Sequence, residues 1–248
     1  GGRGGAALCV DRRLFPRFGV QGQPVVLPVI KVLDKTGIAG STPGLNEGDQ
    51  VLSVNGTAAL SNIQAVQMLR EAVGDVVRIM LDANQAWPLP QAIDACLALK
   101  GMSPFWMEEP TQPDDVSAHK TLADKIAPVP VAVGEAVSNR VLWKNFLQAG
   151  AVGIVQADCT RLAGISEWLA VVMLARKFPV RLVPHVGDMG QIHQHLVLFS
   201  HIALGHEKLF LEYIPHLRDD FVHPANVDSG HYMPPQEPGC STDLHLAQ

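Results

Sequence analysis

Charged side chains recur at nearly constant intervals in the middle of the chain, each one behind a short apolar run. In chain order they are Asp82, Glu108, Glu135, Asp158 and His185. The intervals between them are 26, 27, 23 and 27 residues, about the length that a strand, a helix and two short loops occupy. A parallel repeat of strand and helix places the C-terminal ends of its strands on one face of the sheet. The spacing therefore predicts a ring of four carboxylates and one imidazole around one pocket.

The composition is that of a globular protein, for which we expect small molecules or peptides as partners. The chain has 248 residues, 47% of them hydrophobic, enough for one barrel-sized domain or two smaller ones. A net charge of −5 without a run of Lys or Arg argues against nucleic acid or a membrane surface as partner. The four cysteines form no C-x-x-C pair, so we expect free thiols in a reducing compartment, and an intracellular location, cytoplasmic or mitochondrial.

From Val76 onward, apolar segments of strand length alternate with amphipathic segments of helix length. The predicted strands cover residues 76–81, 104–107, 129–133, 153–157, 180–183 and 209–212. The predicted helices cover residues 90–100, 115–126, 139–149, 165–178 and 191–204. Because the first strand is rich in Val and Ile, as in buried parallel sheets, we predict an α/β fold over residues 76–248. It would be an incomplete (β/α) barrel of about six βα units with a C-terminal tail.

The first third of the chain shows no such repeat. Residues 1–17 are rich in Gly and Arg and are predicted to be disordered. Short strands are predicted over residues 25–33 and 50–54, and a capping box marks the start of a helix over residues 61–72. The pattern therefore predicts a small α+β segment over residues 18–79 in front of the barrel.

Part of this segment, GLNEGDQVLSVNG at 44–56 followed by AVQMLR at 65–70, resembles a PDZ domain. The resemblance implies that a peptide C-terminus adds as a strand beside the sheet. The alternative is a structural remnant, because Pro24 and Pro28 remove hydrogen-bond donors from the strand that would pair with the peptide. The residues that would form the peptide groove are Gly19, Asn62 and Val66.

Seven motifs after residue 81 carry a second resemblance. They are DANQ at 82–85, WMEEPT at 106–111 with PDD at 113–115, GE at 134–135 with SNR at 138–140, QADCTRL at 156–162, PH at 184–185, EY at 212–213, and YMPP at 232–235 with PGCST at 238–242. In this order and spacing they resemble the enolase superfamily, in its mandelate racemase-like branch. The branch implies a Mg²⁺-dependent dehydratase of acid sugars, of the L-fuconate dehydratase type.

The resemblance implies that Asp82, Glu108 and Glu135 bind Mg²⁺, with Asn84 and Glu109 in contact with substrate or behind the ligands. Three carboxylates facing one point repel each other by about 4 kcal/mol per pair at ~4 Å and an effective dielectric constant of ~20, which either raises their pKa values or demands a cation. Oxygen ligands favour Mg²⁺. Taken singly, each carboxylate could equally be a solvated strand end or a helix cap, and Asn84 could cap the following turn.

The resemblance also assigns acid–base chemistry to Asp158 and His185, in which the carboxylate fixes the tautomer of the imidazole. A base removes the α-proton of a carboxylate substrate, Mg²⁺ stabilises the enediolate, and the imidazole protonates the departing β-hydroxyl. Glu212 would bind the substrate or the leaving group. Alternatively, Asp158 pairs with Arg161. The other histidines, His193 among them, are expected to be solvated or part of the core.

The chain departs from the resemblance at one catalytic position. The family's dehydratases use a lysine from a K-x-K motif, yet there is no lysine between Lys35 and Lys100, and the family's capping domain and first two barrel strands have no counterpart. One hypothesis is therefore an acid-sugar hydro-lyase, a homo-oligomer whose barrel a partner chain or the strands of residues 18–79 complete. The other is a chimeric or truncated, inactive chain that acts as a peptide-binding or interaction module.

Overall fold

The computed structural model of the chain describes strand backbones at residues 8–11, 29–31, 50–54 and 57–58. It further describes residues 62–75, 78–185, 191–206, 211, 215–228, 231–234 and 236–245. The chain divides into two compact units, Gly1–Val131 and Ala132–Gln248.

Six strands begin and end within the first unit: β1 (Leu8–Asp11), β2 (Val29–Lys31), β3 (Gln50–Val54), β4 (Thr57–Ala58), β5 (Met80–Asp82) and β6 (Trp106–Glu108). β3 pairs antiparallel with both β1 and β4. β5 pairs antiparallel with β2 on one side and parallel with β6 on the other. β2 therefore covers an edge of β5 that would otherwise present unpaired backbone groups.

β1 lies within residues 1–17, for which the composition predicts disorder. Leu8 pairs opposite Val54, and Val10 pairs opposite Val51. Residues 8–11 therefore form a strand inside a segment predicted to be disordered. Their pairing partner, β3, lies some forty residues further along the chain, and local composition does not indicate such a distant partner.

The helices of the first unit are α1 (Asn62–Val73), α2 (Leu89–Lys100) and α3 (Val116–Ile126). Pro90 lies in the first turn of α2, where its missing backbone N–H leaves no hydrogen bond unmade. The side chain of Asp115 caps α3 by accepting a hydrogen bond from the backbone N–H of Ala118 at 2.9 Å. Helices α2 and α3 pack together and fix the loops that follow β5 and β6.

The boundary between the two units falls within β7 (Val131–Val133): Val131 is the last residue of the first unit, and Ala132 is the first residue of the second. Its further elements are α4 (Arg140–Ala149), β8 (Ile154–Val155), α5 (Ile165–Ala175), β9 (Arg181–Leu182), α6 (Ile192–Leu204), a 3₁₀ helix (Pro215–Asp220), β10 (Val227–Asp228) and β11 (His231–Tyr232). β8 runs parallel to both β7 and β9. The core contains three fully buried aromatic side chains, Trp143, Phe146 and Trp168.

The predicted α/β fold with an incomplete barrel is confirmed. The strand order in the large sheet is β2-β5-β6-β7-β8-β9, with five parallel strands from β5 to β9. The sixth predicted strand, residues 209–212, lies outside the described residues except for the buried Leu211. Among the helices of the described ranges, none has the length and apolar character needed to cross a membrane.

The PDZ-like interpretation is not supported. Gly19 lies outside the described residues, as does the side chain of Asn62. Val66 is fully buried. Its side chain therefore packs inside the first unit instead of lining an open peptide groove.

Candidate functional site

In the first unit, Asp82 and Glu108 end two neighbouring parallel strands in the same register. Partners in register lie roughly 4.8 Å apart, and their side chains point to the same face of the sheet. Both residues are buried, with 5% and 2% of their surface exposed. The structure thus brings together two of the predicted metal ligands at the C-terminal end of the sheet.

Short hydrogen bonds hold these two carboxylates in place. The indole Nε1–H of Trp106 donates to Oε2 of Glu108 at 2.9 Å, and the backbone N–H of Asn84 donates to Oδ1 of Asp82 at 2.8 Å. Asn84 therefore contributes a backbone donor to the site, while its side chain is exposed. Donors that fix a carboxylate before a ligand arrives lower the cost of ordering it on binding.

Glu109 is oriented by Gln85, which the sequence analysis did not single out. The backbone N–H of Gln85 donates to the carbonyl oxygen of Glu109, and its side-chain Nε2 donates to Oε2 of Glu109, both at 2.7 Å. The φ angles of Asn84, Gln85 and Glu109 are +45°, +62° and +39°, a left-handed conformation that costs on the order of 1–3 kcal/mol per residue. Such strain is typical of loops whose geometry serves a binding site.

The pair of Asp82 and Glu108 fits a hard divalent cation. Two buried carboxylates at neighbouring strand ends repel each other when both are ionised, and a cation offsets that repulsion. Their oxygen atoms are the donor type that Mg²⁺ prefers. The third predicted ligand, Glu135, belongs to the second unit.

In the second unit, His185 lies between two carboxylates. Its Nδ1 is 2.7 Å from Oδ2 of Asp158 and its Nε2 is 2.9 Å from Oε2 of Glu135. Asp158 is fully buried and His185 is 6% exposed. The structure therefore brings together three of the predicted residues in one hydrogen-bonded line.

A glycine allows the strand that carries Glu135 to approach its neighbour. A Cβ atom added to Gly134 would lie 2.2 Å from the backbone carbonyl carbon of Gln156, closer than any real Cβ contact. The backbone N–H of Gln156 in turn donates to the carbonyl oxygen of Val133 at 2.9 Å. This close approach sets Glu135 beside the segment that ends in Asp158.

The loop after β8 fixes the Asp158 carboxylate. The backbone N–H and the hydroxyl of Thr160 both donate to Oδ1 of Asp158 at 2.7 Å. The indole N–H of Trp168, on α5, donates to the carbonyl oxygen of Ala157 at 2.9 Å. Arg161, the alternative partner, has an exposed side chain, whereas His185, His193 and Thr160 contact the carboxylate.

Hydrogen bonding outweighs burial in setting the charges of this pair. Burial by itself raises the pKa of Asp158, yet hydrogen bonds, first of all with His185, hold that pKa well below its usual range. Burial by itself lowers the pKa of His185, whereas hydrogen bonds to Asp158 and Glu135 raise it to about 9. These hydrogen bonds favour the protonated imidazole, with one N–H directed at each carboxylate, and a protonated imidazole can act as a general acid.

His193 is a contact that the sequence analysis missed. It is fully buried on α6, and its Nε2 lies 3.2 Å from Oδ1 of Asp158 and accepts a hydrogen bond from the backbone N–H of Cys159 at 3.0 Å. His193 is thus part of the core, one of the two expected alternatives, and its ring also contacts the carboxylate of Asp158. No linear spacing reveals this contact, because 34 residues separate His193 from Cys159.

Glu212, predicted to bind the substrate or the leaving group, lies outside the described residues. Its placement at the end of the sixth strand stays a prediction. The acid–base part of the described site consists of Glu135, Asp158 and His185.

A family model, curated proteins and solved structures all relate this chain to the enolase superfamily. Residues 47–248 match the family model described as enolase C-terminal domain-like. Human mitochondrial enolase superfamily member 1 is 36% identical over 189 residues, 74% of this chain and 43% of the relative, and its crystal structure gives a TM-score of 0.69 over the same shares. L-galactonate dehydratase of Hypocrea jecorina is 39% identical over 67% of this chain and 38% of the relative.

A solved structure of L-talarate dehydratase from Polaromonas sp. JS666, in complex with Mg and L-glucarate, is also similar. It is 27% identical with a TM-score of 0.64, over 75% of this chain and 49% of that one. The chain thus spans less than half the length of these relatives.

Proposed function

The chain belongs to the enolase superfamily, and from this membership we propose that it acts as a Mg²⁺-dependent acid-sugar dehydratase, with His185 as its acid–base group. The observation that carries the proposal is the hydrogen-bonded line Asp158–His185–Glu135. A buried imidazole held in its protonated state by a buried carboxylate is suited to protonating a departing hydroxyl.

Asp82, Glu108 and Glu135 would hold Mg²⁺. The ion, when bound, neutralises the substrate carboxylate and the negative charge that develops when the α-proton leaves. Trp106 and Asn84 hold two of the ligand carboxylates in place. Glu135 differs from the other two proposed ligands because it also binds Nε2 of His185, so that the same carboxylate would hold the metal and orient the acid.

His185 carries out the elimination half of the reaction. Once the α-proton has left, protonated His185 gives its Nε2 proton to the β-hydroxyl. The electron pair of the enediolate forms a C=C bond as the C–O bond breaks, and water is released. Asp158 keeps Nδ1 protonated throughout, so the proton is delivered from Nε2 alone. The neutral imidazole that remains is then able to take a proton back from solvent, which restores the starting state.

The substrate class rests on the relatives. Proteins similar to this chain are named for L-galactonate, L-talarate and galactarate, all carboxylates with a hydroxyl on the neighbouring carbons. We extend this class to the present chain as substrates, and we include L-fuconate because of the sequence resemblance. A homo-oligomeric assembly and a cytoplasmic or mitochondrial location remain predictions.

The test is a Mg²⁺-dependent assay of the full chain with L-galactonate, L-fuconate and galactarate, in which formation of the 2-keto-3-deoxy acid is measured. We expect turnover that His185→Asn lowers by at least ~10²-fold. His195→Asn, on the exposed face of α6, is the matched control and should leave the rate unchanged. Turnover that survives His185→Asn would contradict the proposal, and no turnover of any of these acids would favour the inactive-chain hypothesis.

A further inference from the structure

Three side chains next to the imidazole–carboxylate pair form a second cluster of possible metal ligands. Asp158, Cys159 and His193 are all buried, and each offers a ligand atom within 4.8 Å of the other two. Cys159 and His193 take no part in the proposed dehydration. The cluster joins one oxygen, one sulfur and one nitrogen donor.

Nε2 of His193 lies next to both a hydrogen-bond donor and a hydrogen-bond acceptor. The backbone N–H of Cys159, at 3.0 Å, needs a lone pair on this nitrogen, whereas the 3.2 Å contact with Oδ1 of Asp158 is repulsive unless the nitrogen carries a proton. One nitrogen cannot satisfy both. The other ring nitrogen, Nδ1, is buried and has no hydrogen-bond partner in the described part of the chain. Each choice of tautomer therefore leaves a buried polar group unpaired, which costs about 1–3 kcal/mol.

The spacing of these atoms suits a tetrahedral ion. Nitrogen and oxygen ligands that lie 2.0–2.1 Å from a tetrahedral Zn²⁺ are about 3.3 Å apart, and Nε2 of His193 lies 3.2 Å from Oδ1 of Asp158. A cation between them would accept the nitrogen lone pair, in place of the hydrogen bond from the N–H of Cys159, and would neutralise the carboxylate oxygen. A mixed set of sulfur, nitrogen and oxygen donors selects Zn²⁺ or a similar transition metal over Mg²⁺.

We propose that Asp158, Cys159 and His193 form a binding site for Zn²⁺ or a related divalent transition metal, separate from the oxygen ligands proposed for Mg²⁺. The ion binds the Cys159 thiolate, the Nε2 lone pair of His193 and Oδ1 of Asp158. The thiol proton is released to solvent on binding. Oδ2 of Asp158 keeps its hydrogen bond to His185, so the ion lies behind the imidazole and shares its carboxylate.

Cobalt substitution tests this site, because Co²⁺ bound by a thiolate gives a near-ultraviolet charge-transfer absorption that Co²⁺ bound by oxygen ligands lacks. Co²⁺ is titrated into the full chain in the presence of excess Mg²⁺, which occupies oxygen-only sites. We expect the band in the unmodified chain and its disappearance on addition of Zn²⁺. Cys159→Ser should abolish the band, and His193→Gln should weaken Co²⁺ affinity at least tenfold.

Cys96→Ser is the matched control, since Cys96 is a buried free thiol of the first unit, and it should keep the band. Circular dichroism checks that each variant is folded. If Cys159→Ser does not fold, His193→Gln still tests the site, because it leaves every thiol in place. A missing band in the unmodified chain, or a band unchanged in Cys159→Ser or in His193→Gln, would overturn the proposal. The absorption does not depend on turnover, so its failure is distinguishable from failure of the proposed dehydratase activity.

Discussion

Nδ1 of His185 lies 2.7 Å from Oδ2 of Asp158, a carboxylate that is fully buried. We expect Asp158→Asn to lower kcat for acid-sugar dehydration by at least ~10²-fold, because an amide does not hold the imidazole in its protonated state. Mg²⁺ affinity should be unchanged, since Asp158 is not among the proposed ligands. Both quantities are measured on the same preparation, by turnover and by calorimetry. Equal loss of turnover and of Mg²⁺ binding would mean that the substitution disrupts the second unit as a whole.

Trp106→Phe should destabilise the first unit through Glu108. The indole N–H of Trp106 donates to the buried carboxylate of Glu108 at 2.9 Å, and a hydrogen bond to a charged group contributes about 1.5–3 kcal/mol. Trp143→Phe is the matched control. Trp143 is equally buried, but its indole nitrogen has no hydrogen-bond partner in the described part of the chain.

Chemical denaturation measures both free energies of unfolding. The Trp106 variant should lose more stability than the Trp143 variant, by about the energy of the hydrogen bond. Equal losses in the two variants would show that ring volume alone accounts for the effect.

Gly134→Ala should strongly destabilise the second unit. The added Cβ would lie 2.2 Å from the carbonyl carbon and 2.3 Å from the carbonyl oxygen of Gln156, and backbone atoms in a sheet have little room to shift. A loss of more than ~2 kcal/mol is expected from overpacking of this kind. Gly101→Ala is the control, because Gly101 has φ of −62° and nothing within 4 Å of an added Cβ. Thermal denaturation that shows similar midpoints for the two variants would contradict the close approach.

The cap of α3 should lose its effect in acid, whereas the cap of α4 should not. The backbone N–H of Ala118 holds the pKa of Asp115 below its usual value of 3.8. The folded state therefore gains stability from this carboxylate above pH ~4, and that gain is lost as the pH falls through the folded pKa. Asn139 caps α4 with an uncharged side chain, through hydrogen bonds from Val141 and Leu142.

Asp115→Ala should accordingly cost about 1 kcal/mol at pH 7 and less at pH 3. Asn139→Ala should cost a similar amount at both pH values. Denaturant titrations at the two pH values measure both losses. A cost of Asp115→Ala that does not change with pH would show that its charge plays no part in the cap.

Much of the fold follows from local pattern. Each helix predicted from Pro90 onward is present with ends shifted by at most a few residues, and the predicted starts of α3 and α4 fall on their capping residues, Asp115 and Asn139. Helix caps and apolar periodicity depend on residues only a few positions apart, so both can be recognised directly in a sequence. The proximity of Asp82 and Glu108 follows in the same way, because each residue directly follows a predicted strand, and the two strands are neighbours in the sheet.

Contacts between residues far apart in the chain could not be predicted from local sequence pattern. The apolar run around Val29 predicts a strand, but its antiparallel pairing with β5 depends on a partner fifty residues away. The contact of His193 with Asp158 depends on the packing of α6 and has no signature in spacing. The left-handed turn at Asn84 and Gln85 likewise results from hydrogen bonds to the following strand end, at Glu109.

We propose that Asp82, Glu108 and Glu135 act together on one Mg²⁺ ion. Calorimetric titration of the full chain with Mg²⁺, after removal of metal by EDTA, tests it most directly. We predict a single site whose binding is lost in each of Asp82→Asn, Glu108→Gln and Glu135→Gln and kept in Glu71→Gln, an exposed control on α1. Mg²⁺ binding that survives Glu135→Gln while Glu108→Gln abolishes it would contradict the account, because the three carboxylates would then not share one ion.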